Sequence, residues 1–179
     1  MLKKVLIAVA VIVLLLVIVI AVQPADFRIA RDTIVAAPAE AAFSRVNDFH
    51  NWPAWSPWEN IDPDLKRTYD GPTAGKGASY AWSGNSDVGE GKMTILESRP
   101  DELIRIDLQF IRPFAATNAT EFTFEPQGDN TKVTWTMTGK NGFVAKAFGL
   151  LMNMDKMVGG DFEKGLASLK QVAEKEAQD

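Results

Sequence analysis

Spacing of apolar and polar residues divides the chain into three regimes. An unbroken apolar run, Val5–Val22, follows Lys3 and Lys4. From Asp26 the pattern breaks into short alternating stretches, and from Phe143 it repeats every three or four residues. The first run holds roughly 18 residues, a helix of about 27 Å, just long enough to cross the hydrocarbon core of a bilayer. Lysines stand only on its short N-terminal side, so the positive-inside bias places Met1 in the cytoplasm and the rest of the chain outside. A cleaved signal peptide has a shorter apolar region and a small-x-small cleavage site, and the exit "AVQPAD" supplies that site poorly. A helix buried in the domain would carry a polar second face, and none is marked. The expectation is a retained signal-anchor over residues 1–23 and one domain over 26–176.

The alternating regime predicts strands. "DFRIARDTIVA" reads as a first strand of imperfect alternation. Pro38 then opens a short helix, "PAEAAFSRVND", with Glu40 in its first turn and Ala42, Phe43 and Val46 on its apolar side. After the segment "NWPAWSPWEN" come about six strand-like stretches separated by turn residues such as Asp70-Gly71 and Gly84-Asn85. The cleanest is "LIRIDLQFI", with Ile104, Ile106, Leu108 and Phe110 on one face and Arg105, Asp107 and Gln109 on the other. Phe122 and Phe124, then Val133, Trp135 and Met137, continue the pattern, as antiparallel strands with one wet face require.

In the third regime Phe143, Ala147, Leu151, Met154, Val158, Phe162, Leu166 and Leu169 mark one face of a long amphipathic helix, with Gly159-Gly160 as a place for a kink or a close approach to the sheet. A curved sheet with one apolar face needs cover, and this helix is the only element long enough to supply it. The space between them is the natural place for a ligand.

Composition narrows the chemistry. The net charge is −4 at pH 7, and no block of Lys or Arg occurs, which argues against a nucleic-acid partner. The absence of cysteine excludes disulfides, thiol catalysis, thiolate metal sites and lipidation on cysteine. One histidine, His50, leaves a conventional zinc site to carboxylates almost alone. Asp48, two residues before it, reads as a helix cap rather than as a catalytic partner. "GPTAGKG" lacks phosphate-loop spacing and reads as a turn. No cofactor, metal or catalytic residue is expected.

Trp52, Trp55 and Trp58 alternate with Pro53 and Pro57. A packed corner is the plainer account of this segment; the functional account puts Trp55 or Trp58 at a cavity mouth. Tyr80 and Trp82 share a strand face, as do Trp135 and Met137, and either fill the core or line a cavity with aromatics and sulfur. Charged side chains on the strands read as outward, which weighs against an enzyme. Arg112, at a strand end beside Pro113, is placed to meet a ligand's acidic head group.

The residues "IVAAPAEAAFSRVNDFHNWPAWSPW", "GPTAGKGASYAWSG", "VGEGKMTI" and "GGDFEKGLASLKQ" resemble the START/Bet v 1-like superfamily, and more narrowly the bacterial polyketide cyclase/dehydrase-like (SRPBCC) proteins, over about Phe27 to Ala173. The resemblance implies a helix-grip α+β fold, a curved antiparallel sheet around a long C-terminal helix. It also implies hydrophobic-ligand or lipid binding, with cyclase-like catalysis in some members. The resulting expectation is a single-pass inner-membrane protein whose extracytoplasmic domain holds a hydrophobic small molecule or lipid. Its lining would be Phe110, Phe122, Trp135, Met137, Leu151 and Met154. A cyclase/aromatase-like enzyme would instead need ionisable groups converging inside. An adaptor or stress-related accessory domain would show a filled core and an exposed apolar patch.

Overall fold

The computed structural model describes residues 1–178, and the apolar run forms α1 (Leu2–Val22), apolar on every side and exposed apart from Ile20. Its length and composition are sufficient to cross a membrane. After a short link come β1 (Asp26–Val35) and α2 (Ala39–Asn47), whose Ala42, Phe43 and Val46 are buried as the spacing predicts. A 3-10 turn, Phe49–Ala54, starts at Asp48, whose carboxylate accepts the His50 backbone N–H at 2.9 Å. Asp48 is therefore a cap.

The strands β2 (Lys66–Asp70), β3 (Ser79–Ser83), β4 (Glu90–Arg99), β5 (Leu103–Arg112), β6 (Ala116–Gln127) and β7 (Asn130–Lys140) join β1 in one antiparallel sheet of order β1-β7-β6-β5-β4-β3-β2. Sequence neighbours pair through hairpins, and the first strand closes on the last. "GPTAGKG" is the turn between β2 and β3. Gly71 there has φ +82, and a side chain on it would run into the Gly77 carbonyl.

One expectation is corrected. The C-terminal pattern does not form one helix but α3 (Phe143–Gly149) and α4 (Met154–Glu176). The break comes at Asn153, whose side chain accepts the Lys156 N–H at 2.9 Å and so starts a new helix. Periodicity carries across the break because the apolar residues keep their spacing while the backbone does not. Gly159-Gly160 produces no break, and Gly159 instead leaves room for the Arg31 guanidinium.

α4 packs on the sheet through aromatic rings. Phe162 stacks on Trp135 with centroids 4.1 Å apart and planes 5° from parallel, and Trp135 stacks in turn on Phe122 at 4.8 Å. Trp55 and Trp58 meet Trp135 edge-on at 5.7 and 5.6 Å. The space beneath this part of α4 is thus filled. Truncating any such buried ring to Ala costs about 3–5 kcal/mol. Polar contacts clamp both ends of α4. Arg31 on β1 binds Asp155 at 3.0 Å and Glu163 at 2.7 Å, while Glu174 accepts the Ala36 N–H at 2.6 Å.

Two glycines of α4 distinguish its faces. A Cβ on Gly165 would lie 2.9 Å from the Trp135 ring and 3.0 Å from Pro57, whereas one on Gly160 meets nothing within 4 Å. Gly165→Val is expected to lower stability by about 1–3 kcal/mol through overpacking. Gly160→Ala should raise it by roughly 0.5–1 kcal/mol through helix propensity. Urea midpoints of the two variants check this, and equal midpoints would refute the packing of α4 on Trp135.

Candidate ligand-binding site

Cross-strand register arranges the inner face of the sheet in rows. One row runs Arg31, Trp135, Phe122, Ile104, and the next, toward the α1 end, runs Ile29, Met137, Thr120, Ile106, Ile95. A third holds Phe27, Gly139, Asn118, Leu108, Met93 and Tyr80, and a fourth Ala116, Phe110, Gly91 and Trp82. The rings of α4 meet the Trp135 row. On the two rows nearest α1, Phe27, Leu108, Phe110 and Trp82 remain half-buried. Trp82 and Phe110 meet edge to face at 6.0 Å. Together they make an apolar shelf, bordered by the half-buried Trp58 and Val158.

Polar atoms without partners lie on the two inner rows next to the shelf. Thr120 Oγ1 and Trp135 Nε1 are buried with no hydrogen-bond partner, and buried Asn118 points its amide at the Met137 sulfur, 3.9 Å away. A buried donor left unmade costs about 1–3 kcal/mol, so this pair is a standing demand for a polar group.

The residues singled out from sequence separate into three sets. Phe110 and Trp82 lie on the shelf and Trp58 at its border. Trp55, Tyr80, Phe122, Trp135 and Met137 are packed in the core, Trp55 donating its Nε1–H to the Arg45 carbonyl at 3.1 Å. Leu151 and Met154 lie elsewhere: they are 87% and 43% exposed, at the break between α3 and α4, and do not lie beneath the helix. Their expected place assumed a continuous helix. Arg112 is exposed and bonds Glu90 at 2.6 Å.

One inward carboxylate escaped the sequence pattern. Glu59, with a side chain 5% exposed, accepts from Arg67 Nε at 2.7 Å and from the Tyr80 hydroxyl at 2.6 Å. These partners stand 8 and 21 residues away in sequence, so only the register of β2 and β3 joins them. Burial, and then donation to Glu59, pushes the Tyr80 hydroxyl far above the ordinary tyrosine range. Tyr69 is raised too, first by burial, and the hydrogen bond to Glu59 raises Arg67. A phenol held neutral this firmly is a poor proton donor near neutrality. The cluster pins the Trp/Pro segment to the sheet. His50 stacks on Tyr69 at 4.0 Å at the β2 edge, away from the shelf, with Nδ1 2.7 Å from Asp48. Among the described residues no group of three or more His, Cys, Asp or Glu is arranged to hold a metal ion.

Tyr80→Phe removes a hydrogen bond to a charged group and is expected to cost about 1.5–3 kcal/mol at neutral pH. The native state holds the Tyr80 proton more tightly than the unfolded chain does. Its contribution is therefore complete below the ordinary value of 10.0 and is lost as pH rises above it. The variant should lose stability less steeply than the parent on the alkaline side. Parallel slopes in urea titrations across that range would disprove the Tyr80–Glu59 coupling.

Among solved structures the fold is shared with CV1439 from Chromobacterium violaceum (15% identity, 82% of this chain and 96% of that one, TM-score 0.60). It is shared also with SA2116, a protein of unknown function from Staphylococcus aureus (12% identity, 88% and 99%, TM-score 0.65). The di-domain ARO/CYC StfQ from the steffimycin biosynthetic pathway aligns at 10% identity over 87% of this chain and 53% of its own (TM-score 0.63). These likenesses show a shared fold, a curved antiparallel sheet against a long C-terminal helix. No curated protein is significantly similar in sequence. The family model described as polyketide cyclase / dehydrase and lipid transport matches residues 26–174, nearly the whole chain after α1, and the chain belongs to that family.

Proposed function

We propose that this protein is a membrane-anchored domain that binds a hydrophobic small molecule or lipid on the shelf formed by Phe27, Leu108, Phe110 and Trp82. The carrying observation is that these apolar side chains stay half-buried on the inner face of the sheet, with the unpartnered Thr120 Oγ1 on the adjoining row. Family membership supports hydrophobic-ligand binding in general. The ligand best suited is apolar over most of its length with one hydrogen-bonding group, and desolvation of its apolar part supplies the affinity. In this reading residues 1–23 are the anchor and 26–176 the binding domain, with the N-terminus cytoplasmic. No cofactor takes part.

A second reading, a non-catalytic adaptor, has two observations in its favour. The core beneath α4 is filled by rings, and exposed apolar side chains gather on α3 and the break that follows it. The two readings differ in what the shelf does.

Leu108→Glu places a charge on the shelf, while Leu96→Glu places one at a position that is already exposed. The full chain, extracted in mild detergent and weighed by native mass spectrometry, is expected to retain a bound apolar molecule. Leu108→Glu should lower the retained fraction by roughly tenfold or more, and Leu96→Glu should leave it unchanged. No retained mass in the parent, or equal retention in both variants, would remove the shelf as the binding site.

A further inference from the structure

After α1, thirteen large apolar side chains are exposed among the described residues, and ten of them fall in two groups at one end of the domain. Eight fall between Phe143 and Met157, and two, Ile111 and Phe114, lie in or beside the β5–β6 turn. The register places both groups at the end of the sheet where the chain leaves α1. β1 begins at Asp26 opposite Lys140, the last residue of β7, and Asn141 donates its N–H to the Ala25 carbonyl at 2.7 Å. The β5–β6 turn closes just beyond the Phe110–Ala116 pair, three strands away and so roughly 15 Å along the same edge. Monomeric domains rarely gather apolar side chains in this way without a partner for them.

The position of α1 identifies the partner. Ile20, in its last turn, is buried in an otherwise exposed helix, and Lys146 Nζ on α3 donates to the Ala21 carbonyl at 3.3 Å. Only Gln23, Pro24 and Ala25 separate the end of α1 from β1. If α1 spans a bilayer, α3 and the β5–β6 turn therefore sit at the level where it emerges. A depression of about 470 Å³ lies at this junction, lined by Gln23, Pro24, Lys146 and the break from Leu150 to Asn153. Lys140, Lys146 and Lys156 edge the apolar set, a charge placement that suits anionic headgroups, although Lys140 also lies 3.9 Å from Asp26.

We infer that this end of the domain is a lipid-docking face. α3 and the α3–α4 break (Phe143–Met154), with the tip of the β5–β6 turn, rest in the headgroup region of the bilayer that holds α1, and the shelf opens toward that surface. The inference depends on the anchor reading of α1. Short, exposed and apolar, α3 has the character of an interfacial helix rather than of a core element. The helix break follows from the same placement, because the segment leaves the plane of the membrane before α4 begins its run across the sheet. A ligand bound on the shelf would enter from the lipid without crossing water.

The absence of native cysteine makes single labels unambiguous. Nitroxide labels at Phe148→Cys, Leu151→Cys and Phe114→Cys are read in the full chain, reconstituted in vesicles of phosphatidylcholine and phosphatidylglycerol. Ile34→Cys and Leu96→Cys, exposed away from this end, serve as water references, and Leu14→Cys in α1 as the lipid reference. Collision with oxygen relative to a water-soluble nickel chelate should be severalfold higher at positions 148, 151 and 114 than at 34 and 96. Values equal to the water references, with Leu14→Cys in lipid, would overturn docking and leave the anchor standing. A water-like value at Leu14→Cys would overturn the anchor and docking together. Shielding from both relaxants would identify a protein, such as a second copy of the chain, as the occupant and would also overturn docking on lipid.

Discussion

The stack of Phe162 on Trp135 on Phe122 is the contact through which the sheet and its covering helix become one body. It joins α4 to β7 and β6, and the Trp/Pro segment closes on it when Trp55 and Trp58 approach Trp135 edge-on. Its geometry explains the glycine at position 165, where a side chain would strike Trp135 and Pro57. It also determines where a ligand has room. Rings that fill the interior at the Trp135 row leave apolar surface only on the rows nearer α1. The candidate site therefore lies on the α1 side of the domain, not beneath the middle of α4.

Polar contacts hold this arrangement in register. Arg31 reaches from the Trp135 row to two carboxylates of α4, and its hydrogen bond to Asp155 holds that carboxyl below its ordinary range. Asp155 thus adds stability at neutral pH that is lost progressively as acid takes the pH below its ordinary value of 3.8 and through its lowered one. Surface pairs of this kind are individually weak. Their effect is to orient α4 so that Gly159 and Gly165 face the sheet. The buried Glu59–Arg67–Tyr80 set plays a similar part at the opposite edge, with a larger penalty if one member is lost.

The two ends of the domain consequently differ in character. The end where β1 passes into α2 is closed by α2, by the C-terminal turns of α4 and by the Glu174 and Glu176 contacts. The α1 end carries the half-buried shelf and the exposed apolar residues of α3, with the unpartnered Thr120 hydroxyl one row further in. Side-chain contacts tie the α2 end together around a depression of about 440 Å³ between α2 and the β4–β5 turn, whereas exposed apolar side chains gather at the α1 end. That asymmetry is what connects the shelf to a membrane in the reading offered above.

Sequence alone determined the features that depend on local spacing. Two-residue alternation in "LIRIDLQFI" and "TKVTWTMT" defines strands and their inner faces, and the Val5–Val22 run defines a long apolar helix. Motifs in α2, the Trp/Pro segment and α4 were enough to indicate a helix-grip fold. Tertiary structure decided whatever depends on distance across the sheet. It set which of the ten candidate site residues share an open surface, that Trp135 is covered by Phe162, and that Glu59 meets Tyr80. It also decided that Leu151 and Met154 turn outward, because Asn153 caps a new helix and a preserved repeat does not guarantee a continuous backbone. Spacing reports which face of an element is apolar; only packing determines whether another part of the chain covers it.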